Sequence, residues 1–109
     1  MCYTVSMEQN DGTAEQDERL EAAMREICAL LSDHHDQSFI YDFFCCLFTP
    51  AERRDFAMRW LLVRELDSGT TQREIARKYG MSLCKITRGS RELKKPDSAF
   101  RRLLDLTKH

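Results

Sequence analysis

Between Ser38 and Thr49 lies a run of ten residues, Phe39-Ile-Tyr-Asp-Phe-Phe-Cys-Cys-Leu-Phe48, that is apolar on nearly every side. Ten residues are too few to cross a bilayer, which takes roughly 18 or more. Written as a helix, the run has no face that water would favour, so it must be covered all round. A chain of 109 residues has few elements with which to do this. The run therefore implies that a second subunit supplies part of the cover. With only 4 Gly and 2 Pro there is little material for a turn-rich β fold. The expected class is all-α, one domain of about six helices.

The flanking sequence fits that class. Residues 1–13 are polar, carry Asn10-Asp11-Gly12, and are expected to form a loose N-terminal arm ahead of a helical domain at 14–109. From Ala14 to about Ser32, Leu20, Ala23, Met24, Ile27, Leu30 and Leu31 recur at helical spacing with acids opposite. Thr49-Pro50-Ala51-Glu52 is a strong helix start. Threonine caps, proline suits the first turn, and glutamate closes a capping box. That helix runs to about Ser68 with Phe56, Trp60, Val63 and Leu66 inward, and Gly69 ends it. Thr71-Gln-Arg-Glu74 is a second capping box, opening a short helix that stops at Gly80. Ser82 caps the next, whose inner stripe is Leu83, Ile86, Ser90 and Leu93. After Pro96, Asp97 or Ser98 starts a last amphipathic helix with Phe100, Leu103, Leu104 and Leu106.

The net charge of −1 hides an asymmetry. Residues 1–48 carry ten acids and two bases, and residues 49–109 carry fifteen bases and eight acids. The bases gather at 71–95 as Arg73, Arg77, Lys78, Lys85, Arg88, Arg91, Lys94 and Lys95, against Glu74 and Glu92. Such a cluster suits a phosphate backbone, although charge alone fits a solvated basic face equally well. The five cysteines form no Cys-x-x-Cys pair, so neither a disulfide framework nor a zinc site is signalled. His34-His35-Asp36 is the best metal candidate, but adjacent histidines splay apart and a solvated helix end is the simpler reading. No metal is expected. With no signal-peptide pattern and no membrane span, a cytoplasmic location is expected.

The functional segment is Thr71 to Leu93. Two short helices joined at a glycine match a helix-turn-helix. Small Ala76 allows a close crossing, Gly80 can take the left-handed backbone of the turn, and Ile75, Leu83 and Ile86 fill the space between the helices. Plain helical hairpins imitate this spacing, but here it coincides with the basic cluster, which points to double-stranded DNA. On the second helix Leu83, Cys84, Lys85 and Thr87 are candidate DNA contacts. Gln72 and Arg73 at the first helix N-terminus suit a phosphate, and Lys94 adds attraction. Lys95 reads better as a solvated side chain.

Phe48-Thr-Pro-Ala-Glu-Arg53, Arg59, Thr71-Gln-Arg-Glu-Ile75 and above all Ile86-Thr-Arg-Gly-Ser90 resemble the Trp repressor family. The resemblance covers roughly Leu47 to Leu106, with a weaker match in helix layout before it. It implies an intertwined homodimer that represses transcription at a near-palindromic operator when L-tryptophan is bound as corepressor. Its two reading helices would lie one DNA turn apart, ~34–36 Å. It further implies that Arg59 and Arg88 hold the indole between their guanidinium planes, and Arg88 also suits the ligand carboxylate. Gly89 would leave space for close approach. The partner's Cys46 and Phe48 carbonyls would meet the ammonium, with Thr49 and Glu52 alongside. The ligand would wedge the reading helix outward and select the DNA-competent state. The chain departs from the family pattern at Glu92, where serine is usual near the ligand's polar end, and at Cys46, which replaces a leucine. Cys84 and Lys85 alter the reading helix, and the loop before Gln72 is one residue short.

Two alternatives stay open. One is a helix-turn-helix DNA-binding regulator with an altered or absent effector. The other is a helical interaction module with an acidic partner. An enzyme is not expected, because no paired His/Ser/Asp pattern and no phosphate-binding glycine loop is present.

Overall fold

A computed structural model of the chain describes residues 10–108, with side chains from Thr13 onward. Six helices and no strand occur among the described residues: α1 Asn10–Ser32, α2 Gln37–Leu47, α3 Pro50–Asp67, α4 Gln72–Tyr79, α5 Leu83–Lys94 and α6 Ala99–Leu106. The all-α class is thus the observed one. The expected arm lies mostly outside the described residues. Its last part does not: α1 begins at Asn10, ahead of Ala14. The chain divides into two compact units, one ending at Phe44 and one starting at Cys45.

In the first unit, α1 presents its apolar stripe largely to solvent. Leu20, Met24 and Leu30 are exposed, while Ile27 and Leu31 are half-buried. The break before α2 is a cap. The Asp36 carboxylate accepts from the backbone N–H groups of Ser38 and Phe39 at 3.0 and 3.4 Å, satisfying donors that a helix start leaves free. The His34 ring donates to the Leu30 carbonyl at 2.8 Å and lies tilted against Phe39, with ring centroids 5.5 Å apart. No residue of α2 is fully buried, and Tyr41 is 65 % exposed.

The second unit has its own core. Leu62 of α3, Ile75 of α4 and Ile86 of α5 meet at its centre, rimmed by Leu66, Ala76, Tyr79 and Met81. Val63 and Leu104 are also buried. α3 packs against α4, α5 and α6, and α5 packs against α6. The apolar spacing found Val63, Ile75, Ile86 and Leu104 but not Leu62. Phe56, Leu83, Leu103 and Leu106, expected to face inward, are exposed instead. A single unit of four short helices has only one small centre. An apolar stripe wider than the face its neighbour covers is left in water.

Local chemistry sets the element boundaries. Thr49 and Glu52 form the full reciprocal box at the start of α3. Thr49 accepts from Glu52 N–H at 3.2 Å, and Thr49 N–H donates to the Glu52 carboxylate at 2.9 Å. At α4 only half of the expected box forms. Thr71 accepts from Glu74 N–H, but the Glu74 carboxylate turns to Arg77, a cation one turn onward. Ser82 and Ser98 cap α5 and α6.

Candidate nucleic-acid interface and ligand cleft

The α4–α5 pair turns at Gly80, whose φ of +66° is left-handed backbone that an L side chain resists. Gly80 N–H closes α4 by donating to the Ala76 carbonyl at 2.9 Å. Two side chains tie the pair together on its outer side, where Thr87 Oγ1 donates to Gln72 Oε1 at 3.4 Å. Gln72, Arg73, Leu83, Cys84, Lys85 and Lys94 are exposed and Thr87 is half-buried. Leu83, expected both as core filler and as a DNA contact, is 58 % exposed and lies outside the core.

The cations of this segment fall into two groups. Arg77 pairs with Glu74, Lys78 with Glu65, and Lys95 with Glu92. Among the described residues Arg73, Lys85, Arg88, Arg91 and Lys94 have no carboxylate within ion-pair distance. All five are exposed, although the charge of Arg88 also acts on Glu92. Four of them lie on α5.

Glu65 of α3 escaped the sequence reading, yet it anchors the pair. Its carboxylate accepts from Tyr79 Oη at 2.7 Å, from Lys78 Nζ at 2.9 Å and from Thr70 Oγ1 at 2.8 Å. The Tyr79 hydroxyl first, then the Lys78 ammonium and the Thr70 hydroxyl, hold its pKa down to about 2. The same contact raises the pKa values of Lys78 and Tyr79. Nothing in the local pattern signals this, because the partners lie 13 and 14 residues on. Asp67 does similar work at the end of α3. It pairs with Arg101 at 2.9 Å and Lys108 at 3.2 Å, which lower its pKa and fix α6.

Beside the turn opens a cleft of about 370 Å³ between α3 and the α4–α5 pair. Arg54, Asp55, Met58 and Arg59 line one side, and Tyr79 to Ser82 with Lys85 line the other. Of the expected ligand residues, Arg59 is in its wall, while Arg88 and Gly89 are not. Arg88 is exposed on α5. Gly89 is buried, and a Cβ there would lie 3.0 Å from Leu62 Cδ2, so its smallness serves the approach of α5 to α3. Glu92 is ion-paired with Lys95 at 2.9 Å. Lys95, helped by the charge of Arg88, holds its carboxyl below the usual range.

The other four expected ligand residues sit at the α2–α3 junction. Thr49 and Glu52 are engaged in their cap, and the Thr49 N–H lowers the Glu52 pKa. Arg53 donates to the Cys45 and Phe48 carbonyls at 3.0 Å each. Phe48 is half-buried with its ring 5.3 Å from that of Phe56, and Cys46 is exposed. Of the eight expected ligand residues, four thus gather at the α2–α3 junction, Arg59 lines the cleft beside the turn, and Arg88, Gly89 and Glu92 lie further along α5.

The model of the Trp repressor protein family matches residues 22–108 of this sequence. The chain belongs to the Trp repressor family. Relatives called "Trp operon repressor homolog" from Chlamydia trachomatis serovars L2 and D are each 40 % identical over 85 residues, covering 77 % of this chain and 90 % of theirs. A protein of the same description from Chlamydia caviae is 48 % identical over 65 residues, 59 % of this chain and 64 % of its own. No solved structure gives a significant match. Membership of the Trp repressor family makes the chain a Trp-repressor-like transcriptional regulator and sets it apart from enzyme families. Among the described residues no helix is long and apolar enough to cross a membrane, and no three His, Cys, Asp or Glu side chains gather as a metal site.

Proposed function

We propose that this chain is a dimeric repressor that binds a near-palindromic DNA operator through α4 and α5 and is activated by L-tryptophan. The observation that carries the reading is the α4–Gly80–α5 pair, on which Arg73, Lys85, Arg91 and Lys94 are exposed with no carboxylate within ion-pair distance among the described residues. In this reading α5 is the recognition helix of a helix-turn-helix, with Lys85 and Thr87 toward the groove and Gln72, Arg73 and Lys94 toward phosphates. Leu83 and Cys84, exposed in the first turn of α5, are further proposed contacts.

The exposed apolar faces of α1 and α2 support a homodimer, since a second copy would remove them from water. The corepressor would lie between Arg59 and Arg88 over Gly89, with the partner's Cys46, Phe48, Thr49 and Glu52 completing the site. Guanidinium planes stack on aromatic faces, which suits an indole. Tryptophan would then favour the DNA-competent position of α5 by differential affinity. A cytoplasmic location belongs to the same reading.

Glu92 favours a second reading, in which the effector is changed or absent. Its ionised carboxylate sits on α5 beside Arg88, the group that would hold a ligand carboxylate. A mobility shift on a Trp-operator-like duplex, with and without L-tryptophan, decides between the two. The first reading expects a shift that needs L-tryptophan and is lost in Arg88→Ala. Binding that ignores L-tryptophan, with no heat on calorimetric titration, selects the second. Equal binding to heparin and duplex overturns both.

A further inference from the structure

We infer that Arg54 of α3 is a DNA-backbone contact, so that the protein grips its operator with α3 as well as with α4 and α5. The inference rests on the DNA-binding reading above and adds an element to it. Arg54 is exposed, and among the described residues no carboxylate lies within ion-pair distance of it. It shares the wall of the 370 Å³ cleft with Arg59 and Lys85, likewise without acidic partners. One acid, Asp55, is present against three cations.

Three unneutralised cations around one opening repel each other unless an anion joins them. The far wall of that opening is the turn Gly80–Ser82 and the first turn of α5, where backbone N–H groups and the positive end of the helix also favour an anion. That is the end of α5 that must approach the duplex if α5 reads the groove, and the strand flanking a groove presents phosphates. The guanidinium fork of Arg54 matches phosphate oxygens. A small carboxylate could answer the same charge, and the test separates the two sources.

The experiment measures operator affinity of the full chain against salt concentration, with saturating L-tryptophan, for the native protein, Arg54→Gln and Arg54→Lys. Each phosphate contact contributes about 0.9 to the slope of log K against log salt. Arg54→Gln is expected to weaken binding alike on all duplexes and to flatten the slope by about 1 per protomer, with Arg54→Lys restoring most of it. Its affinity for L-tryptophan, measured by calorimetry without DNA, is expected to be unchanged. An unchanged slope in Arg54→Gln overturns the inference and leaves the DNA-binding reading standing. Weaker tryptophan binding with an unchanged slope overturns it in favour of a ligand carboxylate. A native protein with no preference for duplex over heparin overturns both. Arg54 is exposed, and matching helical signal and melting temperature in the three proteins will show that the comparison concerns binding alone.

Discussion

Gly89 is where one missing methyl matters most. Replacing a helical glycine by alanine ordinarily gains about 1 kcal/mol of helix propensity. Here the new Cβ would lie 3.0 Å from Leu62 Cδ2 and 3.5 Å from Leu62 Cγ. Leu62 cannot easily give way, because it is packed with Ile75 and Ile86 at the centre of the core. Overpacking of this kind costs about 1–3 kcal/mol, which exceeds the gain. Gly89→Ala is therefore expected to lower stability by about 1 kcal/mol, read as a fall in the chemical-denaturation midpoint. At Gly80 the space is open and the obstacle is the backbone alone. These two glycines look alike in the sequence, and only the turn at Gly80 was legible, from its place between two capped helices. The packing of Gly89 on Leu62 was not, since it joins residues on different helices.

At the scale of the element, the starts of α3, α4, α5 and α6 were readable because capping is local, whereas α1 and α2 start earlier than expected, at Asn10 and Gln37. Thr49, Ser82 and Ser98 act within three residues of themselves. The way α4 and α6 are held to α3 was not readable, because Glu65 and Asp67 reach partners far along the chain. This hidden tie has a pH signature. The Glu65 pKa is held at about 2 in the folded protein, against an ordinary value of 4.5. A depressed carboxylate stabilises fully above its unfolded pKa, and that contribution is lost as pH falls through the folded pKa. The Asp67 carboxyl is lowered too and acts with the same sign. Stability is thus expected to fall as pH drops from about 4.5 to about 2, and Glu65→Gln to flatten that fall, with melting temperature across the range as the measurement. Removal of the α3 cap is a separate test of the local boundary: Thr49→Ala should cost about 1 kcal/mol by chemical denaturation at neutral pH.

For the whole molecule, the apolar run Phe39–Phe48 predicted a helix that one chain cannot cover, and α2 indeed has no fully buried residue. What the sequence could not supply is the identity of the cover, since periodicity describes one helix at a time. Tyr41 turns the proposed homodimer into a sharp test. It is 65 % exposed in the single chain, so a charge there costs an isolated monomer almost nothing, as surface substitutions usually stay within about 0.5 kcal/mol. Buried against a second copy without a partner, the same charge would cost several times more. Two measurements follow from mass action. The native melting temperature should rise with protein concentration. Tyr41→Asp should lower it at high concentration and shift sedimentation toward the monomer, while leaving the core around Leu62, Ile75 and Ile86 intact. A melting temperature independent of concentration, with Tyr41→Asp as stable as the native chain, would mean that α2 faces water in solution as it does in the single chain, and that the second subunit must be abandoned.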